Sequence, residues 1–356
     1  MPVSLLSAQT SVALPDPHAI LDAFHEHFAE YMTMKREGAA VHFEADYGNG
    51  TLSVDEGRFA ACVNCKSVNI LMSLKAMVAE HIMEFSGQTE LDFRWEGDGS
   101  DLRELPNLFT GKVVRSYDLT PKMRRVVISI DDGIERLMTG GLHVRILILP
   151  DQAREPMWPH LSKTGAIVWG EGEDALTRRV YTIRSGNIHR SEIDIDFVMH
   201  EGDNMPGAHF GATAKAGDIV GIVGPGGVMA EAEHYVFAGD ETALPVMLRM
   251  AKEMPAGKPL TVYAEIDNEA ERQEIESKAD IEWNWLYRRG KSAGTSGLIE
   301  DALRQHVWKP EGLHVFVGCE KSEARSIKKM LNDEAKLPKA SVVSAGYWVK
   351  GASDDH

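Results

Sequence analysis

The run Arg178-Arg179-Val180-Tyr181-Thr182-Ile183-Arg184 concentrates the most chemistry in the fewest residues. Arg179 offers a planar fork of donors that suits a pyrophosphate. Tyr181 presents an amphipathic face against which a flat ring can lie. Thr182 supplies a hydroxyl within reach of a ring nitrogen. Arg184, two residues further along a strand, shares the face of Thr182 and points toward a phosphate. The same residues also suit an exposed strand decorated with basic groups, so their surroundings must decide. Cys62-Val63-Asn64-Cys65 is a C-x-x-C, but no second C-x-x-C or H-x-x-x-H accompanies it. On a strand, positions three apart face opposite sides, which favours a structural reading. The fourteen histidines lack metal-ligand spacing, and His25 and His27 diverge on a helix, so no protein metal site is expected.

These residues need elements to position them. Three modules are expected, at 1–97, 101–229 and 230–356, the first set off by the polar linker Gly97-Asp98-Gly99-Ser100. The first reads as helix, strands, helix. Ile20, Leu21, Phe24, Phe28 and Tyr31 recur at helical spacing after Asp16-Pro17, and a second amphipathic run spans Ile70 to Phe85. Short strands at Val41 to Phe43 and Thr51 to Val54 flank Gly48-Asn49-Gly50. In the second module, β-rich runs at 113–114, 126–130, 144–149, 180–183 and 193–199 suggest a small antiparallel barrel or sandwich. From about 230, strands near 234–238, 260–266 and 314–317 alternate with helices near 243–252, 297–306 and 322–331. That is the βαβ rhythm of a doubly wound parallel sheet.

Composition narrows the class. The chain has 356 residues, 43% hydrophobic and 26% charged, as in an ordinary globular protein, which excludes a disordered chain or a rod. Its formal charge is -16. Residues 1–100 hold 15 acidic and 6 basic side chains, a balance of -9. Such a field opposes general binding to nucleic acid or an anionic membrane. No apolar run reaches the length of a membrane span, and no secretory leader is recognisable. Three cysteines cannot build a disulfide scaffold, so a reducing cytoplasm is expected.

Taken in order, several short motifs identify a resemblance. R-x-Y-[ST] on a barrel strand resembles the flavin-binding motif of the ferredoxin-reductase superfamily. Residues 101–356 resemble the siderophore-interacting proteins, FAD-dependent ferric-siderophore reductases. The resemblance is carried by Leu119-Thr120-Pro121-Lys122-Met123-Arg124-Arg125-Val126, by Gly141-Leu142-His143-Val144 leading to Leu149-Pro150, and by Arg179 to Arg184. Asp196-Phe197-Val198-Met199-His200 follows, then Ala216-Gly217-Asp218 with Gly224-Pro225-Gly226-Gly227. Ala238-Gly239-Asp240-Glu241-Thr242-Ala243-Leu244-Pro245 and the ending Gly346-Tyr347-Trp348 with Lys350-Gly351 complete it. Residues 1–96 resemble a small domain of unknown function found fused or adjacent to these proteins; its negative charge argues against its gripping an anionic chelate, and docking, oligomerisation or support of the reductase is its expected role.

The resemblance implies a fold of three parts: a small α+β domain, an antiparallel β-barrel that binds FAD, and a doubly wound α/β domain for NADPH or NADH. It implies that Arg179, Val180, Tyr181, Thr182 and Arg184 hold FAD, with Val198 and His200 along the flavin and its phosphates, and Gly207 and Ala208 beside them. Asp240, Glu241, Thr242 and Ala243 lie where a strand meets a helix whose free N–H groups approach the nucleotide. Glu320 belongs to the same region. No G-x-G-x-x-G follows a strand. Ala208 lacks the hydroxyl usual for the family, Phe210 stands where tryptophan is usual, and Cys319 departs from the family's W-V-A-G-E at Phe316 to Glu320. Cys319 suits either a nicotinamide contact or a small buried thiol.

The implied substrate is an anionic ferric siderophore, for which Arg325, Lys328, Lys329 and Lys350 are the candidate contacts, unless they simply decorate a solvated face. No catalytic acid or base is expected. A ferredoxin is a further candidate donor. Two other readings stay open: a flavin reductase with another acceptor, and a siderophore carrier without redox chemistry.

Overall fold

A computed structural model of the protein describes residues 5–29, 32–45, 47–88, 91–199 and 206–352. The described chain divides into two compact units, one formed by 1–108 with 154–176 and the other by 109–153 with 177–356.

The first unit is built on a sheet. Strand β1 (Leu6–Ala13) precedes α1 (Pro17–Phe28), and β2 (Thr33–Glu37), β3 (Ala40–Ala45), β4 (Gly48–Asp55) and β5 (Arg58–Cys65) follow. Helix α2 (Val68–Ser86) and the short β6 (Glu96–Gly97) complete the sheet, whose order is β2-β3-β4-β5-β1-β6. Asp16 caps α1 by accepting from Ala19 N at 3.0 Å, and Ser67 caps α2 through Ile70 N at 3.3 Å. Gly87, at φ 66°, ends α2 in the left-handed conformation that glycine adopts without strain. Both helices lay their apolar stripes on one sheet face. Leu21, Phe24, Val78 and Ile82 join Phe59, Ala61 and Val63 in a single core. The C-x-x-C lies on β5, where alternation leaves Cys62 half-buried on the outer face and sinks Cys65 into the core, both as free thiols.

The second unit has two layers of chemistry. Strands β7 (Leu108–Thr120), β8 (Met123–Ile130) and β9 (His143–Ile148), with α3 (Ile134–Thr139) between the last two, begin a barrel. The chain then leaves it. Segment 154–176 carries the small hairpin β10 (His160–Leu161) and β11 (Ile167–Val168) and is part of the first unit. There Leu161 packs with Met72 and Leu105, Ala166 enters the helix–sheet core, and Trp95 Nε1 donates to Thr164 O at 2.8 Å. The barrel resumes with β12 (Thr177–Asn187), β13 (Glu192–Val198), α4 (Pro206–Thr213) and β14 (Ile219–Gly226), and closes in the order β12-β13-β8-β7-β14-β9. Its neighbours pair antiparallel, and inward residues such as Val126, Ile146, Ile183 and Ile195 fill the interior.

The α/β part follows as β15 (His234–Gly239), α5 (Leu244–Glu253), β16 (Pro259–Ile266), β17 (Asp280–Tyr287), α6 (Leu298–Gln305), β18 (Leu313–Glu320), α7 (Lys321–Asp333) and β19 (Val342–Trp348). All pairs are parallel, in the order β17-β16-β15-β18-β19. Strand β18 is buried at every position, as expected when helices cover both sheet faces. The strand order reverses between β15 and β18, and ligands of such sheets bind beyond the carboxyl ends there. Buried Arg249 on α5 joins the sheet to the barrel by donating to the carbonyls of Leu142 at 3.1 Å and Ile183 at 2.9 Å. Among the described residues, no helix is long and apolar enough to cross a membrane.

Candidate functional site

A cleft of about 470 Å³ in the second unit is lined by barrel residues on one side and by the ends of β19, α5 and α7 on the other. From the barrel come Arg179, Val180, Tyr181 and Thr182 of β12, Asp196 and Val198 of β13, His143 of β9, and Pro206, Gly207 and Ala208 at the start of α4. From the α/β part come Thr242, Pro245, Lys321 and the stretch Ala345 to Val349.

The barrel wall is built for close approach. Tyr181 lies against Phe197 with ring centroids 4.3 Å apart. Its hydroxyl sits over Gly207 so closely that a Cβ there would lie 2.0 Å from Oη. Glycine therefore lets the first turn of α4 come up against the tyrosine. The first turn of α4, from Pro206 to Ala208, and Arg179 border the same cleft, and a helix N-terminus beside a guanidinium suits an anionic pyrophosphate. Thr182, 6% exposed, adds a hydroxyl to a wall otherwise formed by Tyr181 and Val198. Cation, helix terminus, glycine cradle and flanking aromatic ring together fit a flat ring system bearing a pyrophosphate.

Asp196 is fully buried and accepts from Arg125 through Nε at 2.6 Å and Nη2 at 2.8 Å. Arg184 turns toward this pair, 3.9 Å from Asp196, and does not line the cleft. Burial pulls its pKa below the usual arginine value, and Asp196 opposes that fall. The alternation that gives Arg184 the face of Thr182 thus carries it behind the wall, because β12 is sunk into the barrel over Thr182, Ile183 and Arg184.

The strand–helix joint after β15 behaves similarly. Thr242 reaches the cleft, whereas Asp240, Glu241 and Ala243 do not line it. Asp240 accepts from Thr242 N at 2.9 Å, Thr242 Oγ1 at 2.5 Å and Trp348 Nε1 at 2.7 Å. It thereby fixes the tryptophan that closes the cleft. Burial raises its pKa, against the pull of these donors. Glu241 is clamped by Arg288, whose Nη1 lies 2.6 Å from Oε2 and Nη2 2.5 Å from Oε1. Ala243 is wholly buried at the N-cap of α5.

Glu320 caps α7, accepting from Ser322 N at 2.6 Å and Glu323 N at 3.1 Å, while Lys350 N donates to its other oxygen at 3.3 Å. Burial alone would raise its pKa, but these donors hold it below the ordinary value. Cys319 is fully buried, and desolvation pushes its thiol strongly upward, so it stays protonated and away from the cleft. Arg325, Lys328 and Lys329 are exposed on α7, and Lys350 is exposed beyond β19; none lines the cleft. His200 lies outside the described residues.

Several lining residues were not assigned roles from sequence. Lys321 is the α/β part's cation at the cleft, brought there because Gly346 leaves room for it: a Cβ at 346 would meet Lys321 Cα at 2.8 Å. Its position directly after Glu320 was the available signal. His143, whose pKa is lowered by burial and by Arg145, and Trp348 lay in recognised motifs without a function.

Residues 112–229 match the family model of the siderophore-interacting FAD-binding domain, and residues 232–351 match that of the siderophore-interacting protein. Residues 9–96 match DUF2218, described as an uncharacterised protein conserved in bacteria. The ferric vibriobactin reductase ViuB of Vibrio cholerae is 26% identical over 250 residues, covering 68% of this chain and 89% of its own. A siderophore utilization protein from T. fusca is 29% identical with a TM-score of 0.55, covering 71% of this chain and 98% of its own. The siderophore-interacting protein SipS of Aeromonas hydrophila, 24% identical with a TM-score of 0.58, shares the fold over 69% of this chain and 93% of its own. The six-stranded barrel and the parallel sheet fall inside two adjoining matches, and the chain belongs to the siderophore-interacting protein family, with its FAD-binding domain in the barrel.

Proposed function

We propose that the chain is a cytoplasmic ferric-siderophore reductase whose electrons come from NADPH or NADH, with a ferredoxin as the other candidate donor. The reading rests on one observation above all: a single cleft gathers Arg179, Tyr181, Thr182, Gly207 and Ala208 from the barrel and faces them with Lys321 and Trp348 from the α/β part. FAD, when bound, accepts a hydride and passes electrons on singly, which no side chain of the chain does. Arg179 and the first N–H groups of α4 hold the pyrophosphate. Tyr181 and Val198 flank the ring, and Thr182 hydrogen-bonds it. Trp348, tied to Asp240, limits water on the opposite side. Lys321 draws an anionic chelate or a nucleotide phosphate toward the cleft, replacing Arg325, Lys328 and Lys350 as the cation that the α/β part brings to it.

The substrate is ferric iron held by hard oxygen donors, and reduction to the less charged Fe(II) loosens that shell. No protein acid or base is assigned a proton. The division proposed for this work is an accessory domain at 1–97, a flavin domain at 101–229 and a nucleotide domain at 230–356, with segment 154–176 lent to the first. ViuB, named as a reductase, supports the redox reading over a carrier.

The purified chain is expected to be yellow. NADPH or NADH should bleach it without oxygen, and a ferric siderophore should restore the colour. Arg179→Ala combined with Tyr181→Ala should lower flavin occupancy at least tenfold, since a charge-assisted pair and a stacking face are each worth more than about 1 kcal/mol. Wild-type occupancy in that variant would show that FAD is held elsewhere. A bleached protein that ferric siderophore cannot reoxidise, but another acceptor can, would replace the substrate assignment.

A further inference from the structure

The first unit's sheet has a second face, turned away from its helices, and that face is hollow. Cross-strand pairing puts Glu96, Gln9, Cys62 and Thr51 in one row and Ser11, Ala60 and Ser53 in the next. A solvent-facing sheet ordinarily carries long or branched side chains at such positions. Here the floor is serine, threonine, alanine and cysteine, and Thr51, Ser53, Ala60 and Cys62 are only half-exposed. The result is a trough of about 670 Å³, within the range of small-molecule sites.

Its charge runs against its surroundings. Residues 1–100 carry a balance of -9 and only three arginines, Arg36, Arg58 and Arg94. Two of the three line the trough. Arg58 is pre-oriented, donating from Nε to Ser11 Oγ at 2.9 Å and from Nη2 to Ser11 O at 3.0 Å. Arg94 borders the trough with its guanidinium uncommitted to any hydrogen bond or ion pair among the described residues. Glu96 is the one acidic lining residue, and Gln9 Nε2 donates to it at 3.5 Å. No aromatic or large aliphatic side chain forms a wall, so a flat apolar ligand finds no partner.

Two guanidinium groups select carboxylates, and the hydroxyls of Ser11, Thr51 and Ser53 with the Gln9 amide select hydroxyl groups. We propose that this trough is a second ligand site, for a small hydroxycarboxylate anion of the citrate type, taken up free or as its ferric complex. The assignment stands on the first unit alone and is independent of the redox reading.

The test is calorimetric titration of the full-length protein with citrate, with ferric citrate, and with sorbitol as a neutral polyol. At least one of the two anions should bind with Kd below about 1 mM, and which one binds identifies the form taken up. Arg94→Ala and Ser53→Leu, the first removing a charge and the second filling the floor, should each weaken that binding at least about tenfold. Both variants should keep wild-type flavin content and melting temperature, since neither residue belongs to the flavin cleft or the core. Absence of binding by either anion up to about 10 mM would overturn the proposal. So would anion binding that both variants leave unchanged, or sorbitol binding as tightly as citrate.

Discussion

Glu323 stands in the first turn of α7 with Oε1 buried and without a hydrogen-bond partner among the described residues. Burial, followed by the neighbouring carboxylates Glu265, Asp240 and Glu320, pushes its pKa up to about 7. The folded chain therefore keeps a proton that the unfolded chain has already lost between the ordinary glutamate value and about 7. Stability falls as pH rises through that window, and the whole penalty is felt above it. Glu323→Gln should thus stabilise the protein at pH 8, by about 1 kcal/mol once partial exposure is discounted, and confer nothing at pH 4. Denaturant melts of both proteins at the two pH values check this, and an equal difference at both would refute it. The same residue scale marks what sequence conveys. Arg179, Tyr181 and Thr182 declare their chemistry through residue type and strand alternation. Asp240 and Glu320 declare only a carboxylate at a strand–helix joint, where a helix cap and a nucleotide contact look alike. Which donors claim those oxygens depends on Trp348, Ser322 and Lys350, set by tertiary folding.

At the scale of elements, the barrel and the βαβ rhythm were legible because their strands are rich in branched apolar residues bounded by glycine, proline and aspartate. The sheet of the first unit was half-visible. Strands β1 and β5 alternate too, but with Ala8, Thr10, Ala61 and Ala60 in place of valine and isoleucine, and small residues give a weak periodic signal. Strand β17 hid for the opposite reason: Glu282, Trp283, Asn284 and Trp285 suit an edge strand, which is covered on fewer sides. Helix α5 shows how one element serves two. Arg249, 3% exposed, donates to the carbonyls of Met138, Leu142 and Ile183 and to Glu253, so it holds the strand that carries Tyr181 and Thr182. Arg249→Met keeps the bulk and removes the buried guanidinium donors from those carbonyls. It should cost about 2–4 kcal/mol and lower flavin affinity without touching the cleft. A melt together with a flavin titration measures both, and an unshifted melt would contradict the role.

On the scale of the whole molecule, the first unit is discontinuous in sequence. Leu161, Ala166 and Thr164 are partnered by Met72, Leu105 and Trp95. Deleting residues 1–97 removes Met72 and Trp95 and strips segment 154–176 of most of its apolar cover. The shortened chain should be cut by protease inside 154–176, at a rate at least about tenfold above the full chain, since local opening there no longer costs core contacts. Equal resistance in the two chains would show that the segment is held by other means. Nothing in composition or periodicity announced this excursion, because residues 154–176 carry only two two-residue strands and one short 3-10 turn and read as a long loop.

The loan of that segment also sets an order on biosynthesis. A nascent chain emerges from the ribosome N-terminus first, and domains tend to fold as units as they appear. The first unit cannot finish in that way, because its last piece leaves the exit tunnel only after β7, β8 and β9, half of the barrel's six strands, have emerged. Two partly built bodies must coexist on the growing polypeptide until residue 176 is free, and a pause in translation just before that point would leave both open at once.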